Sequence, residues 1–437
     1  MTNVFRKNAI ALVASSIGYL PLAMATNGMN MEGYGPISTA MGGAASAYDN
    51  GTAGMANNPA TLQLGAAGHR VDGALGVLGP SITAQAQAGA PAQDSSATSF
   101  FMPALGWTHQ NDALTWGFGV FAQGGMGAEY AGGTPMSAMT TDEVRSELGV
   151  GRVIFPVAYR VSPKLTVGAS LDYVWAGLDI KMAVGRDQLI GMAGAPAVGM
   201  IEGMTGAVTT ARIDFSDSSS YTGAAAGQGF GGKLGFTYEV NPTLRIGASY
   251  HAKTHLEDLT TSSADFSVNG NVIDSGNIAV NDFQWPASTS IGMAWQASDA
   301  LMVVADFKRV AWSDVMEAFN MTYSSAAFAG GMPMTMTQNW KDQTVTMIGA
   351  AYKISEATVL RAGFNRASNP VPDETVNPLF PATVENHYTF GLGHQINLAS
   401  SIEVSATIAP KVTVTSATGG EISHSQNNFQ LMYSYRY

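Results

Sequence analysis

The sequence predicts an all-β protein, a transmembrane antiparallel β-barrel of about fourteen strands with an N-terminal plug, or hatch, inside its lumen. Only 12% of its 437 residues are charged, about half of the roughly 25% found in soluble domains. After residue 25, no apolar run reaches the ~18 residues that a membrane-spanning helix needs. Many segments instead alternate apolar and polar side chains, which is typical of strands with one face in lipid and one in a polar lumen.

Residues 1–25 have the composition of a signal peptide. Arg6 and Lys7 form a basic start, an apolar stretch follows, and Ala23-Met24-Ala25 is a cleavage site of small residues. Their removal takes away two basic residues and no acidic one, so the net charge changes from −11 to −13. This acidic balance argues against nucleic acid as a partner.

The alternation is clearest in residues 165–175, 244–251 and 426–437. A soluble β-sandwich would show the same alternation in each segment, so the number and spacing of the segments matter more. We predict fourteen strands, which begin near His69, Ser99, Ala113, Val150, Lys164, Gly227, Thr243, Trp285, Ala300, Lys341, Glu356, Glu385, Ser401 and Ser423.

Short and long connections alternate between these strands. The short ones are residues 110–112, 162–163, 241–242, 297–299, 354–355 and 397–400. The long ones are residues 79–98, 125–149, 184–226, 257–284, 317–340, 367–384 and 412–422. This is the pattern of bacterial outer-membrane barrels, whose tight turns face the periplasm and whose long loops face outside. We therefore predict a barrel over residues 65–437 in the outer membrane of a Gram-negative bacterium.

Residues 26–64 precede the first strand and are rich in glycine, including Gly42 and Gly43. Such a segment is either a disordered leader or a compact plug held by walls that other residues supply. A barrel of this size has a lumen too wide for wall side chains to fill, which favours the plug. Within it, Asn58-Pro59-Ala60 predicts a turn, because proline fixes its own φ and keeps Asn58 out of the helical region.

Several motifs resemble the FadL family of outer-membrane transporters for long-chain fatty acids and other hydrophobic compounds. They are Gly42-Gly43-Ala44 with Asn58-Pro59-Ala60, FQWPASTSIG at 283–292, NWKD at 339–342 and LRAGFNRASNPVPDET at 360–375. The resemblance covers nearly the whole mature chain. It implies a hatch that contains the NPA turn, and an inward kink in the third strand that opens the wall sideways. The kink maps onto Gln123, Gly124, Gly125 and Gly127, where consecutive glycines permit a bulge.

The function that the resemblance implies is passive uptake of long-chain fatty acids or other hydrophobic molecules, without a catalytic step, cofactor or metal. The alternatives are a carrier of neutral or aromatic hydrocarbons, an open aqueous porin, and an adhesin or structural barrel. The stretch GQGFGGKL at 227–234 resembles a phosphate loop, but it lacks the Ser or Thr and the helix that such a loop requires. We expect membrane lipid, the hydrophobic ligand and the barrel-assembly machinery as partners, and a monomer.

The loop at 187–207 is unusually apolar for an extracellular segment. It holds Leu189, Ile190, Met192, Met200, Ile201 and Met204. Methionine-rich surfaces adapt to varied apolar ligands, so we predict that this loop captures the ligand. The alternative is a helical hairpin that packs around its own small core.

A fatty-acid carboxylate in a dry lumen needs a basic partner. By resemblance, Lys181 is a candidate for one of two basic residues that the family's fatty-acid carriers supply. The second is absent, because no Lys or Arg lies between Arg309 and Lys341, and Glu317 in that stretch would repel a carboxylate. We therefore prefer fatty acids as the transported molecules only because of the resemblance, and neutral hydrocarbons are almost as well supported.

Overall fold

The structure is a computed structural model that describes residues 27–217 and 223–437. The predicted signal peptide, residues 1–25, lies outside the described residues. Within the two described ranges, no helix is both long enough and apolar enough to span a membrane.

Antiparallel β-strands form most of the regular structure, and they belong to a single sheet of 22 strands. The strands are β1 (Gly68–Ala84), β2 (Gln93–Asp94), β3 (Phe100–Gln110), β4 (Leu114–Tyr130), β5 (Val144–Arg160), β6 (Leu165–Gly185), β7 (Thr210–Phe215), β8 (Ala225–Asn241), β9 (Leu244–His251), β10 (His255–Leu256), β11 (Leu259–Thr260), β12 (Ala264–Val268), β13 (Asn271–Asn281), β14 (Ser288–Gln296), β15 (Leu301–Val310), β16 (Ala318–Ser324), β17 (Met332–Thr337), β18 (Gln343–Lys353), β19 (Thr358–Ala367), β20 (Asn386–Gln395), β21 (Ser400–Thr415) and β22 (Glu421–Arg436).

The long strands pair in a closed circuit. Its order is β1–β3–β4–β5–β6–β8–β9–β14–β15–β18–β19–β20–β21–β22, after which β22 pairs with β1. Because the last strand returns to the first, every strand of the circuit has a neighbour on both sides, which is the requirement for β-structure in lipid. The predicted all-β closed antiparallel barrel is therefore confirmed.

The prediction of about fourteen strands is wrong, because the sheet formed by residues 27–217 and 223–437 has 22 strands. The difference arises in the long connections, which we expected to be irregular. Short strands in them continue the ladder beyond the wall: β7 pairs with β6 and β12, β12 with β13, β13 with β16, and β16 with β17. Strands β7, β12, β16 and β17 have five to seven residues, too few for alternation to stand out in the sequence. Strand β13 has 11 residues, but its apolar side chains, such as the adjacent Val272 and Ile273, do not alternate with polar ones.

The two faces of the wall differ as the alternation predicts. In β6, Val167 and Leu171 are exposed, whereas Thr166 and Asp172 are buried. In β22, the exposed side chains include Phe429 and the tyrosines 433 and 435. Apolar side chains therefore cover the outside of the barrel, and polar side chains line its inside.

The described residues contain three α-helices, none of which is part of the wall. Helix α1 (Pro36–Thr39) belongs to the N-terminal segment. Helices α2 (Arg186–Ala193) and α3 (Ala195–Thr205) form a hairpin between β6 and β7. Gly194 separates them with a φ of 85°, a value that glycine adopts without strain.

The N-terminal segment, residues 27–65, is almost entirely buried and contacts strands on several sides of the barrel. The Asp306 carboxylate of β15 accepts hydrogen bonds from the Ala45 and Ser46 amides at 2.8 and 2.9 Å. In β1, Asp72 accepts the Thr52 amide at 2.8 Å. The backbone of this segment, which has little regular structure of its own, is thus satisfied by polar side chains of the inner wall.

Wall glycines allow this close approach. A Cβ atom at Gly235 of β8 would overlap Asn58 Oδ1, and one at Gly349 of β18 would overlap the Met41 backbone. The same holds for Gly168 of β6 against residues 59 and 60. The inner wall is therefore shaped by missing side chains as much as by those present.

We predict that Gly235→Ala lowers the stability of the folded protein by ~1–3 kcal/mol, the usual cost of overpacking. The matched control is Gly73→Ala in β1, where a Cβ would meet no atom within 4 Å. Urea or thermal unfolding in detergent measures both. Equal stability of the two variants would contradict the tight fit between the segment and the wall.

Candidate functional site

Strand β4 is distorted at the place where the sequence predicts a kink. Its pairing with β5 shifts register between Ala122 and Gly124, so Gln123 forms a bulge. A Cβ atom at Gly124 would overlap the Met29 carbonyl oxygen, and the Gly125 amide donates to that oxygen at 3.1 Å. At Gly127, a Cβ would contact the Ser146 carbonyl oxygen. The bulge therefore brings β4 against the N-terminal segment.

In its C-terminal part, β4 separates from β3. The pairing of these strands extends from Gln110↔Thr115 up to Leu105↔Val120 and stops there. Near the C-terminal end of β4, the Ser96 amide donates to the Glu129 carbonyl at 2.9 Å, and this hydrogen bond ends the unpaired stretch. Between these limits, within the described chain, no backbone pairing joins residues 100–104 to residues 121–128. We call this gap in the wall the window.

Two side chains of the N-terminal segment, those of Asn30 and Tyr34, contact β4 at the bulge. Asn30 Oδ1 accepts the indole N–H of Trp285 at 2.9 Å and the Gln123 carboxamide at 3.3 Å. The Tyr34 hydroxyl donates to the Gln123 carbonyl at 2.8 Å. The window thus depends on contacts between β4, the N-terminal segment and the FQWP motif.

The predicted hatch residues also contact the wall. Gly42 donates its amide to Thr389 and accepts from the Asn365 carboxamide, both at 3.0 Å, while Gly42 and Gly43 have φ values of 73° and 86°. The Asn58 carboxamide donates to the Ser46 and Phe236 carbonyls, and its oxygen accepts the Ala60 amide at 3.1 Å. Asn58 therefore caps the short 3-10 helix Pro59–Leu64, with Pro59 in its first turn.

Among the long loops lies a cavity of about 760 Å³, which we call the mouth cavity. Its apolar lining includes Met136, Met182, Met192, Met336 and Leu379. Thr and Gln side chains and Glu374 supply the polar part. No Lys, Arg or His of the described residues is among its lining.

Deeper in the barrel is the inner cavity, of about 20 Å³. Met336 and Gln338 line both this cavity and the mouth cavity, so they separate the two. The other lining residues are large apolar side chains and one indole: Met29, Met126, Leu148, Leu178, Phe283, Met316, Phe319, Trp340 and Phe380. None of the lining residues carries a charge.

A third cavity, of about 30 Å³, lies at the window and is called the window cavity. It is lined by Tyr34, Met102, Pro103, Phe121 and Ala122, together with Met31, Gly35, Ala74, Gly76, Ala104 and Gln430. Met29 and Met31, two residues apart, lie on the inner and the window cavity respectively. A wider concavity of about 600 Å³ lies among exposed side chains such as Leu234 and Tyr250, on the lipid-facing side of the wall.

The predicted capture loop is a helical hairpin, and only part of it lines the mouth cavity. Met192 does so. Leu189 and Ile201 are completely buried, but they belong to the large apolar cluster that includes strand residues such as Ile213 and Met334, and Ile190 packs against the same cluster. The hairpin therefore does not pack around a separate core of its own. Met200 and Met204 are about half exposed to solvent.

Lys181 is engaged elsewhere. Its ammonium group donates to Glu143 at 2.8 Å, and this hydrogen bond holds the pKa of the Glu143 carboxyl below its ordinary value. Lys181 lines none of the three cavities, and along β6 it alternates with Met182, which lines the mouth cavity. Glu317 is exposed, whereas its neighbour Met316 lines the inner cavity. The structure therefore brings neither charge to the cavities.

Sequence reasoning missed most of the inner cavity. Its residues come from the N-terminal segment, β4, β5, β6 and three long connections. Two of the motifs each marked one of them: NWKD contains Trp340, and FQWPASTSIG begins with Phe283.

Comparison with known proteins gives the family. Residues 16–435 match the family described as outer membrane protein transport protein (OMPP1/FadL/TodX). The chain belongs to this family. Outer membrane protein P1 of Haemophilus influenzae is 25% identical over 359 residues, covering 75% of this chain and 73% of that protein. A match of 61 residues at 57% identity spans 14% of this chain and 30% of an uncharacterized protein of Chlorobium limicola, encoded 5′ of a phosphoenolpyruvate carboxykinase gene.

Among solved structures, the P. putida toluene transporter TodX is similar with a TM-score of 0.84 and 31% sequence identity. The match covers 93% of this chain and 99% of TodX. Membership of the OMPP1/FadL/TodX family makes the protein an outer-membrane transport channel for hydrophobic compounds, as the sequence predicts.

We predict that Asn30→Ala releases β4 from its inward position. The change removes the acceptor of the buried Trp285 indole, and an unsatisfied buried donor costs ~1–3 kcal/mol. Hydrogen exchange should accelerate at the Gly125 amide, which donates to the neighbouring Met29 carbonyl. The amides that join β5 to β6 are the control, and equal acceleration there would mean general destabilisation instead.

Proposed function

We propose that this protein takes up neutral hydrophobic molecules, of which monoaromatic hydrocarbons are the type, and passes them from the mouth cavity through the inner cavity to the window. The observation that carries the proposal is the lining of the three cavities. Among the described residues it contains no Lys, Arg or His, and its one ionisable acid, Glu374, is at the mouth. A carboxylate on this route would lose its hydration without gaining a cationic partner.

Two further points support neutral ligands. TodX, which is 31% identical over most of the chain, is a toluene transporter by name. The alternative cargo, a long-chain fatty acid, depended on a pair of basic residues, of which Lys181 is bound to Glu143.

The N-terminal segment acts in this proposal as the plug of the lumen. Its burial, its hydrogen bonds to β1, β8, β15, β19 and β20, and the wall glycines opposite it support this role. A plug of this kind excludes ions and water while apolar solutes pass beside it. The porin and adhesin alternatives have no comparable support.

Release occurs through the window into the membrane. A solute that leaves sideways moves from an apolar lumen to lipid and never crosses bulk water. Transfer into water would cost about 0.8 kcal/mol of free energy per methylene group. The bulge at Gln123 and the end of β3–β4 pairing at Leu105↔Val120 support this exit.

Cross-linking tests the exit. The chain has no cysteine, so Pro103→Cys with Ala122→Cys gives a unique pair across the window cavity. We expect a short bifunctional thiol reagent to stop transfer of toluene into proteoliposome lipid while binding persists. The control pair is Leu105→Cys with Val120→Cys, which are already opposite each other below the window. Undiminished transfer after cross-linking of the first pair would point to release on the periplasmic side.

The charge of the ligand is tested with a long-chain fatty acid and its methyl ester. We expect the ester to bind at least as tightly as the acid at neutral pH, because no cation lines the cavities. Lys181→Ala should change neither affinity by more than about twofold, since its ion pair with Glu143 is partly exposed and weak. Equilibrium binding to the purified protein measures both. Tighter binding of the acid, lost in Lys181→Ala, would overturn the neutral-ligand proposal.

A further inference from the structure

Three tryptophans form a row beside the N-terminal segment. The rings of Trp285 and Trp312 lie 5.6 Å apart at 68°, and those of Trp312 and Trp340 lie 5.2 Å apart at 67°. All three side chains are at least 97% buried. A buried indole normally finds a partner for its N–H group, because an unsatisfied donor away from water is unfavourable.

Two of these indoles follow that rule and the third does not. Trp285 donates to Asn30 Oδ1 at 2.9 Å, and Trp312 donates to Gln343 Oε1 at 3.4 Å. The indole N–H of Trp340 is buried and has no hydrogen-bond partner among the described residues. Of the three, only Trp340 lines the inner cavity.

The backbone holds Trp340 in this position. Asn339 has a φ of 48°, in the left-handed region that asparagine tolerates better than most residues. The amides of Gln338 and Asn339 both donate to the Glu317 carbonyl at 2.9 Å, and the Trp340 amide donates to the Met316 carbonyl at 3.0 Å. A turn with this geometry directs the indole inward while Glu317 stays exposed.

From these observations we infer that the indole N–H of Trp340 is a hydrogen-bond donor for the transported molecule. The inner cavity then discriminates in favour of a neutral hydrophobic molecule that carries one acceptor, such as an aromatic ketone, aldehyde or ester, over the corresponding hydrocarbon. This inference rests on the proposed function, since it requires that neutral ligands occupy the inner cavity.

The inner cavity must expand to admit such a ligand. Its 20 Å³ accommodates a water molecule, whereas a benzene-sized site is about 150 Å³. Four methionines line it: Met29, Met126, Met316 and Met336. Their unbranched side chains change rotamer at low cost, while Trp340 is fixed by its backbone contacts. The methionines can therefore move to make space for the ligand, while the indole of Trp340 stays in place and orients it.

The test uses two ligands of the same shape, acetophenone and α-methylstyrene, which differ by an oxygen in place of a methylene group. Binding to the purified full-length protein is measured by equilibrium dialysis for the parent, Trp340→Phe and Trp312→Phe. In Trp340→Phe, the affinity for acetophenone should fall about 5- to 10-fold, the effect of one neutral hydrogen bond. The affinity for α-methylstyrene should change less than twofold.

Trp312→Phe is the matched control, because its indole N–H is already paired within the protein. It should change both affinities by the same factor. In the parent, the ¹H–¹⁵N resonance of the Trp340 indole should move more with acetophenone than with α-methylstyrene.

The other outcomes are distinct. An equal loss for both ligands in Trp340→Phe would mean that the indole is only an apolar wall. No loss for either would mean that the N–H is satisfied by water or by the face of Trp312. Both results overturn the inference and leave the proposed function intact. Failure of both ligands to bind the parent would instead overturn the proposed function.

Discussion

The contact between the N-terminal segment and the inner wall is the constraint on which the rest of the structure depends. A chain with so little regular structure exposes many backbone amides, and burying them unpaired is costly. The Asp306 carboxylate accepts hydrogen bonds from the Ala45 and Ser46 amides and a third from the Ser46 hydroxyl at 2.7 Å. Asp72 does the same for Thr52. Since these acceptors belong to wall strands, the wall satisfies amides that the segment itself leaves without a partner.

The same contact lies between the inner cavity and the window. Residues 29 and 30 pair with β4 at its bulge, so the ordered N-terminal segment and the window are one arrangement. Met29 lines the inner cavity and Met31 the window cavity, on either side of Asn30. A ligand that displaces Met29 must therefore disturb the hydrogen bonds that Asn30 makes with Trp285 and Gln123. On the proposed route, access to the inner cavity and the state of the window are therefore coupled through residues 29–31.

The wall was predictable to a few residues. The expected strand starts at Ala113, Lys164 and Thr243 each precede the observed first residue by one, because alternation of lipid-facing and lumen-facing side chains is a local property. Val150 was predicted six residues late, since β5 begins at Val144 with a stretch buried on both faces. The short strands of the long connections were missed because they contain too few residues for an alternating pattern to be recognised. They are stabilised by neighbours in the ladder rather than by a pattern of their own.

The sequence by itself determined the features that depend on local order: the closed all-β wall, the sides on which short and long connections lie, the bulge at Gln123–Gly125, and the turn capped by Asn58. Each is encoded by alternation, by glycine or by proline within a few positions. Only the tertiary structure decided the cavities and their charge. Lys181 and Glu317 are adjacent in sequence to Met182 and Met316, which line cavities, yet Lys181 pairs with Glu143 and Glu317 faces solvent. Trp340 and Met29 are more than 300 residues apart and line one cavity, because barrel closure brings distant strands and the N-terminal segment to the same place.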